Sequence, residues 1–283
     1  MNKFLSLLFI VFISACANFG SSEGIYLINS EDERLYVEVD GQENSKNNKL
    51  VFIQHGLASN LQHQVVQTAK KAFIKNGYVV VTFDARHSLG KDDNNVEKVS
   101  LASFEEDLRT VTQWAEKQDF YHEPFALVGH SLGGASVLQF AADNPQKVNI
   151  LVPVAPVISG KLWEQSCMKN MTDFCKEWKS NGSYEYTDMQ NGKTAVIPYS
   201  VVSSSMSYNA ELLAPKIKAA TLLVAANNDI VIEAKHVKNL ADHTGSSTSF
   251  AEIAASGHNF ETKQNQSDLY YVINSFLHSC LFK

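Results

Sequence analysis

The sequence predicts an α/β protein with a mostly parallel central sheet and helices on both faces. Five short segments are almost purely apolar, which is typical of parallel strands that are buried on both sides. Helical patterns lie between several of them, and this alternation of strands and helices defines the α/β class. The predicted strands are residues 50–56, 79–84, 125–130, 150–156 and 221–227.

Upstream of these strands, two further segments predict an antiparallel pair at one edge of the sheet. Residues 24–29 (GIYLIN) and 34–41 (RLYVEVDG) are separated by acidic residues that suit a turn. Strands joined by so short a connection run antiparallel.

The first two predicted helices are marked by apolar residues that recur along one face. Val65, Ala69, Ala72 and Phe73 share such a face, and Asn76-Gly77 ends that helix. The second helix precedes the 125–130 strand, and we expect a capping box of Ser103 and Glu106 at its start.

The alternation breaks after the 150–156 strand. Residues 157–220 form a long stretch that is rich in serine, asparagine and aromatic residues. We predict that this stretch is a cap inserted into one domain that covers residues 24–283.

The composition is that of a globular protein with a large core, with 45% apolar and 19% charged residues. The formal net charge is −6, and no long run of either sign interrupts the chain. Because no basic stripe is available for phosphates, nucleic acid is not an expected partner.

The N-terminus predicts a signal peptide over residues 1–15. Lys3 precedes an apolar run at residues 4–13, which is too short to span a bilayer but suits the core of a signal peptide. We therefore expect the mature protein to be exported.

The end of this segment allows two cleavage sites. Ile13-Ser14-Ala15-Cys16 resembles the lipobox of bacterial lipoproteins, which implies cleavage before Cys16 and a lipid on its thiol. Residues 16–23 would then tether the protein to a membrane of the cell envelope. The alternative is ordinary cleavage after Ala17 and secretion, because Ala15-Cys16-Ala17 also fits the small-residue pattern.

In an oxidising compartment, Cys167 and Cys175 are close enough in sequence to close a small disulfide loop, leaving Cys280 as a free thiol. Two reduced, buried cysteines are the alternative. A metal site is not expected, because no histidine or second cysteine pair stands near them at ligand spacing.

The segment Gly129-His130-Ser131-Leu132-Gly133 matches the motif G-x-S-x-G at the junction of a predicted strand and helix. A sharp turn there lifts the hydroxyl of Ser131 clear of the sheet, and flanking glycines admit the neighbouring backbone. The first N–H groups of the helix point at the same place and favour an anion.

A serine hydroxyl needs a base to act as a nucleophile, and an acid must orient that base. Of the nine histidines, His258 stands in a glycine-bearing loop just after the predicted strand 249–255. Asp229 follows the 221–227 strand and therefore lies at the carboxyl edge of the sheet, where ligands bind in open α/β sheets.

The order Ser131, Asp229, His258 resembles that of the α/β-hydrolase superfamily, and within it the serine esterases with a cap. Residues 54–60 (QHGLASN) are similar to the turn that supplies an oxyanion donor in that family. The resemblance implies the α/β-hydrolase fold, and it implies an oxyanion hole formed by the backbone N–H groups of Leu57 and Leu132.

The resemblance also implies hydrolysis of a small-molecule ester through an acyl-enzyme, without a cofactor. The predicted cap resembles those of feruloyl-type and monoacylglycerol-type esterases in position. Its aromatic residues either line an acyl pocket or form the core of the cap. These aromatic residues of the predicted cap are Trp163, Phe174, Trp178, Tyr184, Tyr186, Tyr199 and Tyr208.

Three alternatives to ester hydrolysis remain. A serine aminopeptidase or thioesterase shares the same residues. A non-catalytic exported binding protein and an enzyme that transfers the acyl group to an alcohol are the others.

Overall fold

The fold is taken from a computed structural model. It describes residues 24–28, 33–91, 96–188, 192–245 and 247–280. The predicted signal peptide, Cys16 and the 16–23 tether lie outside the described residues.

Eight strands form one twisted sheet in the order β1-β2-β4-β3-β5-β6-β9-β10. The β1–β2 and β2–β4 pairs are antiparallel, and all other neighbours in this sheet are parallel, as predicted. A separate antiparallel hairpin is formed by β7 and β8. The strands are β1 Ile25–Ile28, β2 Arg34–Asp40, β3 Leu50–Gln54, β4 Val79–Asp84, β5 Phe125–His130, β6 Val148–Val154, β7 Ser183–Thr187, β8 Thr194–Pro198, β9 Ala220–Ala226 and β10 Thr248–Ile253.

Helices cover both faces of the sheet, because successive side chains of each buried strand point to opposite sides. On β3, Phe52 packs in the apolar cluster that holds α2 and α3, whereas Val51 and Ile53 pack in the cluster with α1 and α8. All three side chains are almost fully buried, which explains why these positions are apolar. The helices are α1 Gln64–Lys75, α2 Leu101–Ala115, α3 Leu132–Asp143, α4 Gly160–Asn170, α5 Thr172–Asn181, α6 Ser200–Ser204, α7 Ala234–His243 and α8 Lys263–Cys280.

The start of α2 differs from the prediction. Ser100 is the N-cap, and its capping box is formed with Ser103, each side chain accepting the other's backbone N–H at 3.0 Å. The predicted box of Ser103 and Glu106 is therefore wrong. The helix begins one turn earlier because Leu101 is buried and belongs to its apolar face, and Glu106 instead pairs with the guanidinium of Arg86.

The chain between β6 and β9 holds α4, α5, the β7–β8 hairpin and α6. A disulfide joins Cys167 of α4 to Cys175 of α5. Residues next to the two hairpin strands contact the loops that follow β3 and β4, because Lys193 Nζ donates to the carbonyl of Gly90 at 2.7 Å and Asn60 donates to the carboxylate of Asp188. The hairpin therefore reaches the carboxyl edge of the main sheet.

Aromatic residues of this segment pack mainly on one another. The ring of Trp178 lies within 6.4 Å, centroid to centroid, of the rings of Trp163, Phe174, Tyr184 and Tyr199. Its indole N–H donates to a backbone carbonyl at 3.0 Å, so the buried polar group is satisfied. Trp163, Trp178 and Tyr199 are buried in the interior of the segment, whereas Phe174 is 38% exposed. No helix in the described part of the chain is long and apolar enough to span a membrane.

Candidate active site

Ser131 occupies a strained turn between β5 and α3. Its φ of 54° and ψ of −115° lie in a region that non-glycine residues rarely adopt, which costs about 1–3 kcal/mol. The surrounding backbone holds this conformation: the N–H of Ser131 donates to the carbonyl of Val154, and its carbonyl accepts the N–H of Val157, each at 3.0 Å. The turn is thus hydrogen-bonded to the last residue of β6 and to the chain that follows it.

The two glycines of the motif are required by close backbone approach. A Cβ added at Gly129 would lie 2.2 Å from the carbonyl oxygen of Gly133, and a Cβ at Gly133 would lie 2.2 Å from that of His55. The sequence therefore places glycine where α3 must pack directly on its own strand and on the turn after β3.

Three predicted residues meet in one hydrogen-bonded chain. Ser131 Oγ lies 2.9 Å from Nε2 of His258, and Nδ1 of His258 lies 2.7 Å from Oδ2 of Asp229. Because a carboxylate only accepts hydrogen bonds, Nδ1 carries the proton and Nε2 faces the hydroxyl as an acceptor. This is the arrangement in which an imidazole can take a proton from a serine.

Asp229 is held in place from behind. Its Oδ1 accepts the backbone N–H groups of Val231 and Ile232, both at 2.8 Å, and the residue is only 6% exposed. The second oxygen is therefore left for His258. A carboxylate so fixed orients the imidazole and stabilises its charged form.

His258 is presented by a loop between β10 and α8 with an unusual backbone. Ala255 and Phe260 have φ values of 51° and 55°, and the side chain of Phe260 is completely buried. Gln64 of α1 donates to the carbonyl of Asn259 at 2.7 Å. The loop is anchored at its end by an aromatic side chain and along its length by the first helix.

The two residues predicted to form the oxyanion hole belong to backbone segments next to Ser131. Leu132 is the first residue of α3, where backbone N–H groups have no partner within the helix. Leu57 follows Gly56, and a Cβ added at Gly56 would lie only 3.0 Å from the Cβ of Ser131. Both backbone segments therefore pass close to the side chain of Ser131.

Comparison with known proteins agrees with this architecture. A profile of the family described as "Hydrolase_4: Serine aminopeptidase, S33" matches residues 45–262, which include Ser131, Asp229 and His258. The chain belongs to this family.

Among curated relatives, this S33 family chain is similar to an Escherichia coli protein described as an uncharacterized 31.7 kDa protein in the traX-finO intergenic region. The two are 24% identical over 228 residues, which cover 70% of this chain and 79% of the relative. It is also 25% identical over 161 residues to the mitochondrial palmitoyl-protein thioesterase ABHD10 of Rattus norvegicus, covering 56% of this chain and 51% of the relative.

Solved structures show the same fold. Est1E from Butyrivibrio proteoclasticus, solved with ferulic acid bound, superposes with a TM-score of 0.71 at 18% identity and covers 92% of this chain and 100% of its own. Mouse ABHD10 superposes with a TM-score of 0.68 at 20% identity, with the same coverage. The S33 family chain therefore has the α/β-hydrolase fold.

Three further histidines surround the site, and the sequence did not single them out. The rings of His63 and His130 stack with centroids 5.0 Å apart and planes inclined by 15°, and the ring of His130 lies 5.0 Å from that of His258. His55 fixes the neighbouring turn, since its Nδ1 donates to the carbonyl of Gly56 and its Nε2 accepts the N–H of Ala85. The available signal was that His130 is adjacent to Ser131 in the motif.

Burial keeps these three imidazoles neutral. Loss of solvation lowers the pKa of His55 to about 4 and that of His63 to about 3, and it holds the pKa of His130 well below its usual range. The described residues contain no group of three or more histidine, cysteine or acidic side chains that could hold a metal ion.

Proposed function

We propose that this protein is a serine hydrolase that cleaves carboxylic esters through an acyl-enzyme intermediate. Ser131 is the nucleophile, His258 the general base and then the general acid, and Asp229 orients the imidazole. The observation that carries the proposal is the chain of hydrogen bonds from Ser131 Oγ through His258 to Asp229, at 2.9 and 2.7 Å.

In the first half of the reaction, Ser131 Oγ attacks the ester carbonyl carbon while Nε2 of His258 takes the hydroxyl proton. The carbonyl oxygen becomes an oxyanion, which accepts the N–H groups of Leu57 and Leu132 and lies at the positive end of the α3 dipole. Collapse of this intermediate expels the alcohol, which receives the proton from His258. Each N–H donor stabilises the transition state by about 3 kcal/mol of free energy.

In the second half, His258 takes a proton from water, and the resulting hydroxide attacks the acyl carbon on Ser131. The oxyanion forms again at the same two N–H groups, and Oγ leaves with the proton held by His258. The free acid is released and the serine is regenerated.

The similar proteins favour carboxylic esters as the first candidate substrates and thioesters as the second. One curated relative is named a palmitoyl-protein thioesterase, and one superposed structure holds ferulic acid. The family is described as serine aminopeptidase, so amide substrates are the next alternative. An exported binding protein without activity is disfavoured, because such a protein does not need three distant residues held in one hydrogen-bonded chain.

The experiment is a comparison of matched substrates with the purified protein and its Ser131→Ala variant. We expect hydrolysis of p-nitrophenyl esters by the wild-type protein and only background from the variant. Faster cleavage of the corresponding thioesters or aminoacyl p-nitroanilides would replace the ester assignment. Analysis of the products with added alcohols would reveal acyl transfer instead of hydrolysis.

We also propose that the protein is exported and carries lipid on Cys16. The support is the sequence Lys3, the apolar run at 4–13 and the lipobox-like residues 13–16. Labelling of the full chain with a clickable fatty acid in a bacterial host should mark the wild type and not Cys16→Ser. Equal labelling of both, or a mature N-terminus at residue 18, would contradict lipidation.

A further inference from the structure

His130, which immediately precedes the nucleophile, is hydrogen-bonded to the backbone of the base. Its Nε2 lies 3.0 Å from the carbonyl oxygen of His258. A carbonyl cannot donate, so Nε2 of His130 carries the proton and donates it. The neutral ring then leaves Nδ1 unprotonated, and Nδ1 is buried without a hydrogen-bond partner.

The ring of His130 is fixed on several sides. It stacks on His63, lies 5.0 Å from the ring of His258, and meets Phe260 edge-on at 6.5 Å. The residue is only 3% exposed. The imidazole therefore has no room to rotate, and its N–H points at one carbonyl.

A buried nitrogen without a hydrogen-bond partner, such as Nδ1 of His130, destabilises the folded state. A leucine or methionine of similar size would fill the same space without an unsatisfied buried nitrogen. The histidine is therefore not explained by packing alone. Its distinguishing contribution is the N–H that reaches the backbone of His258.

We propose that His130 is a positioning residue for His258, and this inference rests on the proposed function. One residue joins the strained turn that carries Ser131 to the loop that carries the base. Its N–H holds the His258 backbone at a fixed distance from Ser131 Oγ while the His258 ring gains and loses its proton.

The charges around His130 are consistent with this role. The titratable groups that face it are His55, His63 and His258, with Asp229 beyond His258. His130 and the stacked His63 are neutral, so neither repels the imidazolium that forms on His258 during the reaction. His130 can therefore position His258 without electrostatic repulsion of the protonated His258 ring.

The test compares two substitutions that differ in the donor. His130→Leu removes the N–H at similar size, whereas His130→Gln keeps an amide N–H near the position of Nε2. We expect His130→Leu to lower kcat by about 10- to 100-fold with KM within twofold, because a small misplacement of a catalytic group has effects of this size. His130→Gln should recover kcat to within about threefold of wild type.

Two controls separate positioning from folding. Each kcat is divided by the fraction of molecules that react with a fluorophosphonate, so unfolded protein does not lower it. His278→Leu removes an imidazole-to-carbonyl bond of 2.7 Å on the exposed face of α8, and its kcat should not change. An unchanged kcat in His130→Leu, or equal losses in His130→Leu and His130→Gln, would overturn the proposal.

A spectroscopic measurement makes the result independent of ester hydrolysis. With ¹⁵N-labelled histidine, the NMR spectrum should show His130 protonated at Nε2, and the signals of the His258 ring should move in His130→Leu but not in His130→Gln. If no substrate is cleaved but these signals behave as expected, the proposed function fails and the positioning contact stands. A proton on Nδ1 of His130 would refute the contact itself.

Discussion

Asn60 and Asp188 are 128 positions apart, yet Nδ2 of Asn60 donates to Oδ2 of Asp188 at 3.0 Å. Both residues are buried. Asn60 lies in the turn after β3, three residues beyond Leu57, and Asp188 directly follows β7. The bond therefore ties the segment inserted after β6 to the turn that holds a proposed oxyanion donor.

Asn60→Leu should destabilise the protein by about 1–3 kcal/mol, because it removes a donor from a buried carboxylate and the acceptor of the Gln62 backbone N–H. The measurement is the free energy of unfolding in urea. Asn47→Leu, which removes an exposed side-chain bond to the carbonyl of Gly77, is the matched control and should cost much less. Equal costs for the two variants would show that the buried contact contributes nothing particular.

Asp229→Asn should lower kcat by about 10⁴-fold with little change in stability, because an amide can donate to His258 and favour the wrong tautomer. Oδ1 would still accept the N–H groups of Val231 and Ile232. Asp242→Asn, which alters an exposed ion pair on α7, should leave kcat unchanged. Steady-state kinetics on a p-nitrophenyl ester measures both. A loss below tenfold at Asp229 would remove this residue from the proposed mechanism.

Gly56→Ala should lower kcat by about 10²-fold, as expected when an oxyanion donor is displaced. The added Cβ would lie 3.0 Å from the Cβ of Ser131 and 3.2 Å from Nδ1 of His130, so the turn that carries Leu57 and the Ser131 turn must separate by a few tenths of an ångström. Gly245→Ala is the control, since nothing lies within 4 Å of a Cβ there. Full activity of Gly56→Ala would argue against an oxyanion donor in this turn.

Acid should destabilise the protein partly through His63. Burial lowers its folded-state pKa to about 3 from the model-peptide value of 6.5, so its contribution to stability is present above pH 6.5 and is lost as pH falls below it. Between pH 7 and pH 5, this loss amounts to about 2 kcal/mol.

His63→Asn tests this contribution, because asparagine also caps a helix N-terminus but does not titrate. The unfolding free energy of the variant should fall by about 2 kcal/mol less than that of wild type between pH 7 and pH 5. His278→Asn on the exposed face of α8 should follow the wild type. Parallel pH curves for all three proteins would mean that His63 does not stay neutral in the fold.

The inner strands of the sheet, such as β4 and β5, were predictable because they are buried on both faces. The bounds of β4 and β5 agree with the predicted segments 79–84 and 125–130, where the apolar runs end at polar or turn-forming residues. β6 begins two residues earlier than predicted, because Val148 pairs with Phe125 across an irregular register. Pairing with a neighbour is not visible in a single apolar run.

The approach of Ser131, Asp229 and His258 was predictable because each follows or ends a strand at the same edge of the sheet. The contact of His130 with His258 was not, because it depends on the path of the loop with positive φ at Ala255 and Phe260. Neither residue type predicts that conformation. The N-cap of α2 was assigned to Ser103 instead of Ser100, because both serines precede apolar residues and either could begin a helix.

The most direct test of the account is the covalent reaction of Ser131. The protein and its Ser131→Ala variant are incubated with a fluorophosphonate, and the adduct is located by intact mass and peptide mapping. The account predicts one adduct per molecule on Ser131, no adduct in Ser131→Ala, and much slower labelling in His258→Gln. A folded wild-type protein that remains unlabelled, or an adduct on another residue, would contradict Ser131 as an activated nucleophile.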